Sequence, residues 1–142
     1  MIAFTKEDIQ TYSKQLNVKY FRSVFDVDNL PRIVRRNEIG IINLNKEKEI
    51  PHWVTYCKND EAIYYFDYLG LEPPDEIQYY LKKDMHISTI KLSEENSNYS
   101  GHLCILFLKL FESHSFKDVL FFLSRIKFDC EDIKIYVKNF LK

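Results

Sequence analysis

The chain has 142 residues, 46% of them apolar, and a formal net charge of −1. This length suits one domain, residues 1–142, with a sizeable core, and 11 Phe and 10 Tyr make that core rich in aromatic rings. Lys and Arg are spread along the chain, and the one basic cluster, RIVRR at 32–36, is interpreted as a solvated loop. We therefore expect weak or no nucleic-acid binding. The longest apolar run is much shorter than the roughly 20 residues that cross a membrane.

The N-terminal residues and the cysteines suggest an intracellular protein without cofactors. The first ten residues, MIAFTKEDIQ, carry charges where a secretory signal needs an apolar stretch, which predicts that the protein is not secreted. Three cysteines (Cys57, Cys104 and Cys130) do not form a paired pattern, so a disulfide framework is not expected. No His/Cys cluster has zinc spacing, so no metal site is predicted.

Turn signals and apolar periodicity divide the chain into helices and strands. A helix over 6–16 is predicted, capped by Thr5 and acidic in its first turn. Residues 20–31 are interpreted as a turn or short helix that leads into a loop. Strands are predicted over 37–45, 52–57, 62–69 and 86–93, the second and third forming a hairpin around KNDE. Further helices are predicted over 74–83, 101–114, 115–126 and 130–142. This order indicates an α+β fold, a small mixed or antiparallel sheet flanked by helices.

Three side chains could together form a nucleophilic site. His52 opens one strand of the predicted hairpin, Asp67 lies near the end of the other, and Ser100 precedes the central apolar helix. A His can take a nucleophile's proton while a carboxylate orients the ring, and a helix N-terminus offers N–H groups to an oxyanion. Taken singly, each has an ordinary alternative: a surface histidine, a solvated turn carboxylate and a helix N-cap.

Several short motifs in one order resemble the adenovirus-type cysteine endopeptidases, the adenain family of viruses and virus-like transposons. They are GIINLN, then PHWVTYCKNDEAIYYFDYLG, then NSNYSGHLCILFL, with YFRSVFDVDNLP ahead of them, and the likeness covers roughly 18–112. The family pattern has His-Trp-Val at the catalytic histidine, Tyr-Phe-Asp at the acid, and Ser-x-x-Cys-Gly-x-x-Cys at the nucleophile. The resemblance implies a papain-like/adenain-like fold whose central helix carries the nucleophile position at its N-terminus.

Residue by residue, the resemblance implies roles for five positions. His52 falls on the catalytic base, Asp67 on its orienting acid and Ser100 on the nucleophile. Trp53 falls on the aromatic residue beside the histidine, and Gly101 on the glycine that lets a substrate backbone approach. Cys104 falls on a second family cysteine, which is expected to face the core.

Two positions depart from the family pattern. Ser100 replaces the nucleophilic cysteine, and a hydroxyl is a much weaker nucleophile in a site built for a thiolate. The serine is consistent with an engineered replacement, with natural loss of catalysis, or with a working serine protease. The second departure is at Ser93, where the family has a glutamine that donates to the oxyanion. Asn96 or Asn98 could supply a donor instead.

The leading hypothesis is a viral-type cysteine endopeptidase that cleaves precursor proteins during particle maturation. Its triad is His-Asp-Cys, and the nucleophile is present here as Ser100, which makes this an inactivated form. By resemblance, its substrates are polypeptides cut after a small residue, often Gly, inside a virion or host cell (cytoplasm or nucleus). Some relatives are activated by a short peptide or by DNA. The alternative is a non-catalytic adenain-like protein that binds peptides or serves as a virion component. A ubiquitin-like-protein protease shares the broad logic, but PHWVTY and YYFDYLG favour the adenovirus type.

Overall fold

The computed structural model describes residues 3–45, 50–92 and 98–125, together with Asn139. These residues form four helices and five strands. The helices are α1 (Lys6–Leu16), α2 (Asp75–Leu81), α3 (Ser100–Phe111) and α4 (Phe116–Arg125). The strands are β1 (Phe21–Asp26), β2 (Glu38–Asn43), β3 (Trp53–Lys58), β4 (Ile63–Phe66) and β5 (His86–Ile87). The α+β class predicted from the sequence is confirmed.

The five strands form one mixed sheet in chain order, β1-β2-β3-β4-β5. The two outer pairs, β1 with β2 and β4 with β5, are parallel, whereas β2–β3 and β3–β4 are antiparallel. The predicted hairpin between β3 and β4 is confirmed. Asn59 closes its turn, because the Asn59 side-chain oxygen accepts hydrogen bonds from the N–H groups of Glu61 and Ala62 at 2.8 and 2.9 Å.

The predicted first helix is confirmed over the same residues. The Thr5 hydroxyl accepts from Asp8 N–H at 3.1 Å, and the Asp8 carboxylate accepts from Thr5 N–H at 2.9 Å. This reciprocal cap uses two N–H groups that would otherwise lack partners in the first turn. The helix ends at Asn17, which adopts a left-handed conformation (φ 53°) that asparagine tolerates.

Strand β1 corrects the prediction of a turn or short helix over 20–31. In β1 only Val24 is buried, and the other five residues are partly exposed. Because a sheet edge buries few side chains, the alternation that reveals a strand in a sequence is weak there. Its partner β2 supplies the backbone hydrogen bonds that hold it.

Other predicted bounds shift. The strand expected over 86–93 is only two residues long and lies at the other edge of the sheet. The helices expected over 74–83, 101–114 and 115–126 correspond to α2, α3 and α4. The helix expected over 130–142 lies outside the described residues, apart from Asn139.

Apolar side chains cover both faces of the sheet. On one face, α3 packs between the sheet and the helices α1 and α4, and Phe107 stacks on Phe66 with ring centroids 4.7 Å apart. On the other face, Ile77 and Leu81 of α2 pack on residues of β2, β3 and β4. Nine consecutive residues from Ser100 to Leu108 are buried, so α3 is the centre of the fold. No helix in the described part of the chain is long and apolar enough to cross a membrane.

Candidate active site

His52 and Asp67 meet at one end of the antiparallel pair formed by β3 and β4. His52 immediately precedes β3, and Asp67 immediately follows β4. Because Thr55 pairs with Phe66, the start of β3 lies beside the end of β4. The His52 Nε2 and Asp67 Oδ1 atoms are 2.8 Å apart, a hydrogen-bonded pair. The sequence prediction that the hairpin brings these two residues together is confirmed.

The hydrogen bonds around Asp67 favour the His52 tautomer that carries its proton on Nε2. Asp67 Oδ1 also accepts from Leu69 N–H at 2.9 Å, and the carboxylate is almost fully buried. An ionised carboxylate offers only acceptors, so the proton of this pair belongs to His52 Nε2. The neutral ring then has an unprotonated Nδ1, which can accept a proton from a nucleophile.

Ser88 fixes the backbone of Asp67, a role that sequence reasoning missed. Its hydroxyl accepts from Asp67 N–H at 3.1 Å and donates to Asp67 C=O at 3.2 Å. Gly70 N–H donates to the same carbonyl at 2.8 Å. Nothing local in the sequence marks Ser88, because it follows a two-residue edge strand and acts across the sheet.

Asn43, at the end of β2, fixes the backbone of His52 and was also missed. Its side-chain oxygen accepts from His52 N–H at 3.1 Å and from Asn45 N–H at 2.9 Å. Leu44 N–H donates to His52 C=O at 2.9 Å. The only sequence signal was its place in GIINLN, the motif that resembles the family strand.

Ser100 is the first residue of α3, and its hydroxyl bonds to the backbone on both sides of His52. Ser100 Oγ accepts from Trp53 N–H at 3.0 Å and donates to Pro51 C=O at 3.2 Å. The residue is only 3% exposed. Within the described residues, no hydrogen bond joins the Ser100 hydroxyl to the His52 ring. The three predicted residues are thus neighbours, but the His–Asp pair is formed while the serine is bonded elsewhere.

The space beside Gly101 is filled by the protein itself. A Cβ at this position would lie 2.9 Å from Phe4 Cβ, 3.0 Å from Ile9 Cδ1 and 3.1 Å from Trp53 Cδ1. The family resemblance implies that a substrate makes this close approach, whereas in the structure α1, the segment before it and Trp53 make it. Trp53 is likewise buried, and its indole N–H donates to Phe4 C=O at 3.0 Å.

Two clefts flank the segment formed by Ile50 and Pro51. The first, which we call the His52 cleft, has a volume of about 310 Å³ and contains both His52 and Asp67. Its other lining residues are Val27, Leu44, Asn45, Ile50, Pro51, Tyr68, Leu69, Leu71, Glu72, Pro74 and Glu76. The second, of about 480 Å³, is lined by Phe4, Trp53 and Asn98 among others. Ser100 lines neither cleft.

The oxyanion side of the site is described only in part. Ser93 and Asn96 lie outside the described residues. Asn98 is described and lies in the second cleft near Trp53.

The cysteines in the described residues do not offer a substitute nucleophile. Cys57 and Cys104 are buried, as expected for Cys104. Burial raises the pKa of the Cys104 thiol to about 12, which opposes formation of a thiolate. The described residues also contain no group of three or more His, Cys, Asp or Glu side chains that could hold a metal ion.

Comparison with known proteins adds no assignment. No protein-family model matches this chain, and no curated protein sequence matches it.

Proposed function

We propose that this chain is an adenain-type endopeptidase domain with its nucleophile position occupied by serine. The observation that carries the proposal is the 2.8 Å pair between His52 Nε2 and Asp67 Oδ1, formed beside the first residue of α3. The order base, acid and nucleophile position along the chain supports it, as does the motif resemblance. The papain-like/adenain-like form of the α+β fold is part of this proposal.

The roles follow from the proton assignment. With a thiol at position 100, His52 Nδ1 accepts its proton, and the thiolate attacks the carbonyl carbon of the substrate. N–H groups at the start of α3 stabilise the oxyanion. The imidazolium then protonates the leaving amine as the C–N bond breaks, which leaves a thioester. Water hydrolyses that thioester with His52 as the base, and Asp67 orients the ring throughout.

The chain with Ser100 is expected to be inactive or nearly so. A hydroxyl ionises far less readily than a thiol, and this one already bonds to Trp53 N–H and Pro51 C=O. By resemblance, the substrates of the cysteine form are precursor polypeptides of viral or virus-like particles, cut after a small residue such as Gly. By the same resemblance, we expect the protein in a virion or host cell.

The test compares cleavage by the chain as given with cleavage by Ser100→Cys, on a panel of Gly-containing peptides. We expect Ser100→Cys to cut, and iodoacetamide to abolish the cutting. The matched control is the double variant Ser100→Cys/His52→Ala, which keeps Cys57, Cys104 and Cys130 but lacks the base. Cleavage that persists in this control would contradict the assigned roles.

A second candidate function is non-catalytic peptide binding. It is favoured by the burial of Ser100 and its bonds to the backbone, beside a cleft that remains open. If Ser100→Cys folds but cuts no peptide, while the chain as given binds peptides in the His52 cleft, this candidate replaces the first.

A further inference from the structure

Besides the Asp67 that pairs with His52, the His52 cleft combines apolar walls with two glutamates. Leu69, Leu71 and Pro74 supply apolar surface on the side of α2, and Glu72 and Glu76 stand among them. Both glutamates are exposed. Among the described residues, neither glutamate forms a hydrogen bond or an ion pair, and none of the described lining residues is a Lys or Arg. The described lining of the cleft therefore carries negative charge beside its apolar surface.

Stabilisation of a helix explains these charges only in part. Acidic residues in the first turn favour a helix, and α2 has Asp75 and Glu76 there. Asp75, however, does not line the cleft, and Glu72 precedes the helix altogether. Glu72 and Glu76 thus line the cleft while Asp75, which lies between them in the sequence, does not.

We propose that the His52 cleft binds an extended peptide that carries a Lys or Arg next to an apolar side chain, and that Glu72 and Glu76 select the cation. The inference rests on the proposed function in that the bound peptide is the substrate of the same site. The aliphatic stem of a Lys or Arg packs on apolar surface while its charged end stays near water. Leu71 and the two glutamates offer both environments within one cleft.

The expected selectivity is moderate because both carboxylates are exposed. A single exposed ion pair contributes little, whereas two carboxylates around one cation contribute more. We expect a peptide with Lys to bind about fivefold more tightly than its Gln analogue. It should bind at least about tenfold more tightly than the Glu analogue, because the glutamates of the cleft repel another carboxylate. The preference should shrink as salt is raised, because salt screens exposed charges.

The test measures binding to the chain as given, which requires no catalysis. Each fluorescein-labelled peptide has Gly-Gly at its centre and one Leu-Xaa pair on each side, where Xaa is Lys, Gln or Glu. Fluorescence anisotropy gives the Kd of each peptide. The variants are Glu72→Gln, Glu76→Gln and the double variant. Asp75→Asn is the matched control, because it removes the same charge from the same turn outside the cleft. Thermal unfolding checks that each variant remains folded.

We expect the Lys preference to fall in each Gln variant, to disappear in the double variant, and to persist in Asp75→Asn. Equal binding of the three peptides, no binding of any of them, or an equal loss in Asp75→Asn would overturn the inference. Failure of the inference is distinguishable from failure of the proposed function. If Ser100→Cys cleaves peptides but binding shows no preference for Lys, only the inference is rejected. If binding shows the Lys preference but Ser100→Cys does not cleave, only the proposed endopeptidase function is rejected.

Discussion

At the scale of single residues, the hydroxyl of Ser100 links the central helix to the strand that begins beside His52. The hydroxyl donates to Pro51 C=O and accepts from Trp53 N–H. Together with Asn43 on the other side, this link fixes the peptide groups on both sides of the His52 α-carbon. The serine therefore has a structural role that is independent of any chemistry.

Ser100→Ala should lower the free energy of unfolding by about 1–3 kcal/mol, because it takes the hydroxyl partner from the buried Trp53 N–H and from the partly buried Pro51 C=O. Urea unfolding followed by circular dichroism measures the change. Ser124→Ala, at an exposed hydroxyl in α4, is the control and should change stability by less than about 0.5 kcal/mol. Equal effects would show that the link contributes no stability.

Asp67→Asn should reduce the kcat of Ser100→Cys by about 10²-fold or more. An amide at this position can donate to the ring, which favours the tautomer with the proton on Nδ1 and removes the acceptor that the mechanism needs. Peptide cleavage measures kcat, and two-dimensional NMR of the ring nitrogens reports the tautomer. Asp84→Asn, an exposed carboxylate outside the cleft, should leave both unchanged; an unchanged kcat in Asp67→Asn would remove Asp67 from the mechanism.

At the scale of elements, the N-terminus of α3 is packed tightly against α1. Gly101 allows this approach, because Phe4, Ile9 and Trp53 surround the place where a side chain would begin. Phe4 also stacks on His102, with ring centroids 3.6 Å apart. The close packing of α1 against the start of α3 thus depends on Gly101, which has no Cβ.

Gly101→Ala should destabilise the protein by about 1–3 kcal/mol, because overpacking at the helix contact outweighs the gain of up to about 1 kcal/mol in helix propensity. Thermal unfolding measures the loss. A second substitution, Ile9→Val, removes the Ile9 Cδ1 atom from this contact. We expect it to lower the free energy of unfolding by less in the Gly101→Ala background than in the native chain. Additive effects would contradict the packing argument.

The sequence predicted the elements whose buried residues recur with a helix or strand period. It missed features that depend on partners far away in the chain. The hairpin of β3 and β4 follows from apolar runs around KNDE, and so does the meeting of His52 and Asp67. The edge strand β1 buries little, so its pattern is weak, and the strand predicted over 86–93 is present only as the two residues of β5. The hydroxyl bonds of Ser88 and Ser100 depend on tertiary contacts across 21 and 47 residues, which no local pattern records.

At the scale of the whole molecule, one buried carboxylate joins elements on the side of the sheet opposite α3. Glu38 in β2 accepts from Tyr56 in β3, from Tyr80 in α2 at 2.5 Å and from Arg22 in β1 at 2.8 Å. Arg35 N–H donates to it at 2.9 Å from the preceding loop. Burial alone would raise the pKa of Glu38, but these hydrogen bonds outweigh it and hold the pKa below its ordinary value of 4.5.

Glu38→Gln should lower stability at pH 7 by about 3 kcal/mol, since it removes the charge that these donors surround. A carboxyl whose pKa is lowered by folding contributes stability above its unfolded pKa, and loses it as the pH falls through the folded pKa. The difference between the native chain and Glu38→Gln should therefore be full above about pH 4.5 and decline below it. Urea unfolding at pH 7 and pH 3 measures this, with exposed Glu61→Gln as control. A difference that is the same at both pH values would contradict the argument.

The coincidence of sheet order with chain order has a consequence for folding. Each strand pairs with the strand next to it in the sequence, so every strand pairing joins residues that are closer along the chain than Trp53 and Ser100, and it costs less entropy to close. The contact between Ser100 and Trp53 instead closes a loop of 47 residues. We therefore expect the sheet to assemble first and the seam between α3 and His52 to close late, so that a refolding chain has all its strands before it has a site.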